Sequence, residues 1–122
     1  MFTFLPSRDE RTIALGIEGT VDEEDAKKIE EYVDEHFGDD EPFNVIAYMN
    51  EVESTTFKGT LKGMKFDGKR WNQFQKFAII SDKNWIQAAT NIGSILPGVK
   101  AKHFKKDEVD EAWGWLLKNE DQ

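Results

Sequence analysis

The segment Gly63-Met64-Lys65-Phe66-Asp67-Gly68-Lys69-Arg70 comes within one residue of the phosphate loop G-x-x-x-x-G-K-[ST]. Two features exclude that chemistry. Arg70 replaces the hydroxyl that would ligate magnesium, and the segment follows a predicted helix where the motif needs a buried strand. The chain has neither G-x-S-x-G nor H-E-x-x-H nor G-x-G-x-x-G. Glu51 and Glu53 stand at the carboxyl end of a predicted central strand, where open α/β sheets place ligands. With 24 acids in the chain, however, such neighbours are expected by chance, and the pair reads as surface charge. His36 sits in the last turn of a predicted helix, where a cation interacts well with the helix dipole, and His103 sits on a predicted edge strand. Both read as structural. Cysteine is absent, which removes disulfides, thiolate metal sites and thiol nucleophiles together. No catalytic residue, metal site or cofactor is expected.

Composition sets the outer bounds. The chain has 122 residues and a net charge of −8. Residues 1–53 carry a balance of −12 and residues 54–122 a balance of +4. This acidity argues against nucleic-acid binding, which requires a basic surface. No apolar run approaches the roughly 20 residues of a membrane-spanning helix, and the N-terminus has no signal-peptide pattern. A cytoplasmic protein is expected. Between Lys58 and Lys76, six basic residues face one acid, Asp67, which leaves room for a small anion.

The elements that must position these residues follow from periodicity. Phe2 and Phe4, then Ile13, Leu15 and Ile17, alternate with small or polar residues and predict an antiparallel hairpin around Ser7–Arg11. Thr20-Val21-Asp22-Glu23 is a capping box. Ala26, Ile29, Val33 and Phe37 follow at helical spacing, and Gly38 closes that helix. Phe43–Met49 reads as a central strand buried on both faces. Phe57, Leu61 and Met64 form the stripe of a second helix, after which Trp71 and Phe74 fall in a connecting segment. Phe77–Ile80 reads as a short buried strand. Ser81 or Asp82 caps a helix carrying Trp85, Ala88, Ala89, Ile92 and Ile95, stopped by Pro97-Gly98. Val99–Phe104 reads as an edge strand guarded by Lys100 and Lys102. Asp107 caps a last helix with Val109, Ala112, Trp113, Leu116 and Leu117 on one stripe. The order is β-β-α-β-α-β-α-β-α. It predicts one α/β domain over residues 1–122, with a mostly parallel sheet and an antiparallel first strand.

Four places resemble the SpoIIAA-like family of small bacterial proteins, related to the STAS domains of anti-sigma-factor antagonists and to the CRAL-TRIO lipid-binding fold. They are Gly19–Asp25, Val45–Met49, Phe77–Trp85, and Phe104 through Ala112-Trp113 and Leu116. Gly114-Trp115 departs from the family's commoner tryptophan-leucine ending. The resemblance spans nearly the whole chain and implies sequentially ordered parallel strands with helices packed on the sheet. It carries no catalytic residue.

Two functions from different classes follow. The first is a non-enzymatic binding module for a small amphipathic or lipid-like anion. Phe57, Leu61, Met64, Phe66, Trp71, Phe74 and Trp85 would line an apolar pocket, with Lys65, Lys69 and Arg70 (and Lys62 beside them) at its mouth. The second is a protein-interaction or signalling module. In anti-sigma-factor antagonists a phosphorylatable serine follows a central strand, and Ser54 and Thr55 occupy that type of position. Here the chain reads Val52-Glu53-Ser54-Thr55-Thr56-Phe57, without the antagonists' Asp-Ser-Ser/Gly-like signature. Helix capping is the ordinary explanation for Ser54 and Thr55. A homodimer is expected under either reading, since exposed aromatics such as Trp115 favour pairing.

Overall fold

Alternation and apolar runs set the strands, and a five-stranded sheet results. The structure, a computed structural model, describes residues 2–19, 23–38, 41–50, 73–82 and 99–118. Its elements are β1 (Phe2–Leu5), β2 (Thr12–Glu18), α1 (Glu23–His36), β3 (Phe43–Asn50), β4 (Phe74–Ile80), β5 (Lys100–Phe104) and α2 (Val109–Leu117). A short 3-10 turn, Lys106–Glu108, leads into α2. The strands lie in sequential order, β1-β2-β3-β4-β5. β1 pairs antiparallel with β2, and all later pairs are parallel. This is the α/β architecture expected from the sequence. The two helices predicted between β3 and β5 lie outside the described residues, as does the start of the capping box.

Period two divides the sheet into two faces. Ile13, Val45, Phe77 and Ala101 lie side by side in register on one of them. α1 covers this face with Ile29, Val33 and Phe37, all buried against the strands. The other face carries the rows Ala14–Ile46–Ala78 and Gly16–Tyr48–Ile80–Phe104. There α2 packs Ala112, Trp113 and Leu116 into a second cluster. Phe43–Met49 is therefore covered from both sides, which is why it reads as a nearly continuous apolar run.

Gly38 ends α1 at φ 59, a left-handed conformation that side chains with a Cβ resist. Its amide and that of Phe37 both reach the Val33 carbonyl, closing the last turn.

Three details correct the sequence reading. β4 starts at Phe74, three residues before the predicted strand, so Phe74 is not in a connecting segment. Leu117 lies off the buried stripe of α2 and is exposed. Asp107 does not cap the last helix: the Glu108 carboxylate accepts the Lys105 amide at 2.8 Å, while the Glu108 amide donates to the Lys105 carbonyl. A glutamate one position further on reaches back over the turn more easily than the shorter aspartate.

Candidate functional site

Of the residues expected to bind an amphipathic anion, only Phe74 falls among the described ones. Phe57, Leu61, Met64, Lys65, Phe66, Lys69, Arg70, Trp71 and Trp85 lie outside them, as do Ser54 and Thr55. Phe74 is buried, with its ring 5.2 Å from Phe43 and 5.7 Å from Phe77. Phe37 extends the series at 5.5 Å from Phe43. These four rings bridge α1, β3 and β4 at centroid spacings favourable for aromatic packing.

The carboxyl ends of the parallel strands are held by backbone-directed bonds. The Ser81 amide donates to the Phe104 carbonyl at 3.0 Å, linking the ends of β4 and β5. His103 Nε2 lies 2.8 Å from the Ser81 carbonyl. A carbonyl only accepts, so Nε2 carries the proton. Asp82 Oδ1 accepts the Lys106 amide at 3.2 Å. This places His103 in a structural role, and Lys105 and Lys106 remain exposed at the same end. β3 delivers the chain there at Asn50, immediately ahead of the segment that contains Glu51, Glu53, Ser54 and Thr55.

The opposite end of the sheet carries a depression of about 600 Å³. The turn from Ser7 to Thr12 lines it together with Tyr32, His36 and Glu41. The turn is braced internally, with Thr12 Oγ1 donating to Asp9 Oδ2 at 2.9 Å. Arg8 leaves it to pair with Asp110 at 2.8 Å and to lie 5.6 Å from the centre of the Trp113 ring. The His36 ring lies tilted against Tyr32 at 4.1 Å, and Phe4 stacks on Tyr32 at 4.7 Å. Charges of both signs line this hollow. It is not the apolar pocket with a basic mouth that an acyl chain would need.

The model of the SpoIIAA-like family matches residues 12–117. The chain belongs to the SpoIIAA-like family. No curated protein and no solved structure shows a significant match. The SpoIIAA-like match begins at the first residue of β2 and ends at the last residue of α2, so the antiparallel β1 lies outside it.

Within the SpoIIAA-like core, four polar side chains that sequence reasoning passed over tie elements together. Lys76 is buried, and its Nζ donates to the carbonyls of Trp115 and Lys118, each at 2.8 Å. Those carbonyls belong to the negative end of α2, where a cation is favoured. Asn44 Oδ1 accepts the Lys76 amide, while Asn44 Nδ2 donates to the Leu116 carbonyl at 3.3 Å. Gln73 Nε2 donates to the carbonyls of Gly38 and Glu41, fixing the α1–β3 connection. Asp25 is buried in α1 and accepts the Phe2 amide at 3.1 Å, docking β1. The available signal was Gln75-Lys76 between aromatics, which broke the apolar pattern and hid the true start of β4.

No helix among the described residues is long and apolar enough to cross a membrane. Among the described residues, no group of three or more histidines and acids is placed to hold a metal.

Proposed function

We propose that this SpoIIAA-like protein is a non-enzymatic protein-interaction module of the cytoplasm, working as a homodimer and switched by phosphorylation at Ser54 or Thr55. The observation that carries the reading is the family match over residues 12–117, joined to the place where β3 ends. β3 is a central strand, and it ends at Asn50 on the carboxyl edge of the sheet, just before residues 51–56 in sequence. A phosphate on Ser54 or Thr55 would add a charge of about −1.5 to −2 at that edge, repelling an acidic partner surface and attracting a basic one. The protein supports no reaction of its own in this reading.

Glutamate at Ser54 and Thr55 tests it. The wild type is expected to capture its partner in pull-downs, and the S54E/T55E protein to lose or exchange it. Unchanged capture would remove the phosphorylation switch while leaving the interaction role. Failure to capture any partner would remove both. Sedimentation of the purified chain measures the dimer separately.

A second reading rests on the composition of residues 57–85, where six aromatics interleave with basic side chains. In it, Phe57, Leu61, Met64, Phe66, Trp71, Phe74 and Trp85 hold the apolar part of a lipid-like anion, and Lys65, Lys69 and Arg70 hold its head group. Mass spectrometry of organic extracts from the purified protein is then expected to show a stoichiometric lipid. Absence of one, with no binding across a fatty-acid panel, refutes it.

A further inference from the structure

We infer that β1 is the seam of the homodimer: its outer edge pairs antiparallel with the β1 of a second copy, about a twofold axis at Phe4. The inference rests on the homodimer of the reading above and gives it a surface.

The sheet ends in two outer strands, and no described strand pairs with the far side of either. They differ in charge. β5 carries the exposed Lys100 and Lys102, and lysines along an edge oppose its pairing with an identical strand. β1 carries no charge at all, in a chain whose net charge is −8. It also collects apolar surface. Three large apolar side chains are exposed among the described residues, and Phe4 and Leu5 are two of them.

The backbone fixes where a second copy fits. The Phe2 amide donates to Asp25 of α1 at 3.1 Å, so it faces away from β2. Phe4 lies two residues on, and its amide and carbonyl face the same way. Pro6 follows and has no amide to offer. Phe4 is thus the residue that can exchange both backbone bonds with its own copy, as a twofold axis requires. In that register Thr3 stands opposite the partner's Leu5, and Leu5 opposite the partner's Thr3. The Phe4 ring, stacked on Tyr32 at 4.7 Å, meets the partner's Phe4 and carries the row of rings across the seam.

Charge on α1 matches the same axis. Asp25, Lys28, Tyr32 and Glu35 fall on one stripe of the helix, which borders β1 because Asp25 bonds Phe2 and Tyr32 stacks on Phe4. Along the helix, Lys28 lies about 6 Å to one side of Tyr32 and Glu35 about 4.5 Å to the other. A twofold axis beside Tyr32 reverses the helix and sets Lys28 opposite the partner's Glu35, and Glu35 opposite the partner's Lys28. The Lys28 side chain is half-exposed, 3.9 Å from Asp25, and Glu35 is exposed. An unrelated partner would have to present both signs in this order, whereas a second copy does so by symmetry.

The test is sedimentation of the full chain over a concentration series, with amide exchange followed at Phe4. The wild type is expected to form a dimer, and the Phe4 amide to exchange more slowly as concentration rises. F4E sets two carboxylates at the axis and is expected to weaken the dimer about tenfold. K28E and E35K are each expected to weaken it about threefold, more at low salt, and K28E/E35K to restore it. The swap separates pairing from bulk charge: if net charge alone governed association, E35K would strengthen it by removing negative charge. An unchanged circular dichroism spectrum verifies that each variant folds. A dimer that F4E leaves intact, or a swap that restores nothing, overturns the inference while the homodimer stands on another surface. Assemblies larger than a dimer overturn it as well, because one twofold seam closes on itself. A monomer at every concentration removes both this seam and the homodimer, and leaves the interaction role to the pull-downs.

Discussion

Phe43→Ala is expected to cost about 3–5 kcal/mol of folding stability, the usual loss for a fully buried phenylalanine. Phe43 is only 1% exposed and sits between Phe37 and Phe74, at 5.5 and 5.2 Å. It joins Phe37, one residue past the end of α1, to Phe74 on β4. Alanine would leave a void bounded by rings carried on three separate backbone elements, and rigid elements close such voids poorly. Small domains hold only about 5–15 kcal/mol in total. The melting temperature should therefore fall by roughly 10–20 °C. Phe43→Leu keeps most of the volume and is expected to lose roughly 1.5 kcal/mol. Urea denaturation checks both, with the midpoint moving and the slope held constant. A loss below about 1 kcal/mol for alanine would mean that the four rings do not form a packed series.

Lys76→Ala is expected to cost about 2–4 kcal/mol, a large effect for a lysine. Most lysines are solvated, but this side chain is 6% exposed, and its ammonium is bonded to two carbonyls at the end of α2. The Trp115 ring lies 5.3 Å from the same nitrogen. Removing the ammonium takes two charge-assisted bonds and the complement to the helix dipole at once. Lys76→Met restores the apolar stem without the charge and should recover part of the loss. The location of the damage separates this role from a general packing defect. Amide exchange should accelerate in the last turn of α2, while the β1–β2 hairpin keeps its protection. Uniform protection across α2 in the alanine variant would show that the carbonyls do not depend on Lys76.

Both predictions concern groups that hold the two layers to the sheet. Their consequences for binding are indirect. β1, the strand inferred to pair with a second copy, stacks Phe4 on Tyr32 of α1, and the end of α1 is tied to the sheet through Phe37 and Phe43. A chain with a loosened α1 would present that edge less rigidly, so association assays on Phe43 variants should be read against their stability.

Local pattern alone determined the order of the elements along the chain, the hairpin, the first helix and its glycine stop. Ile13, Leu15 and Ile17 can bury together only on one side of a pleated strand, and Ile29, Val33 and Phe37 only on one stripe of a helix. Such constraints act between near neighbours, so they are written in the sequence. Tertiary structure decided the rest. Between Phe43 and Val45 on one strand and Phe74 and Phe77 on the next, the pairing slips: one residue faces two. That bulge puts Phe74 and Phe77 in the same cluster although they are three residues apart; Gln75 is exposed, and Lys76, on the side that α2 covers, is buried. Lys76 can be buried because carbonyls 39 and 42 residues away receive it, and Gln73 because carbonyls 35 and 32 residues away do. A polar side chain enters a core only where its partners are already waiting. Which distant backbone groups those are is settled when the layers assemble, and no local spacing records it.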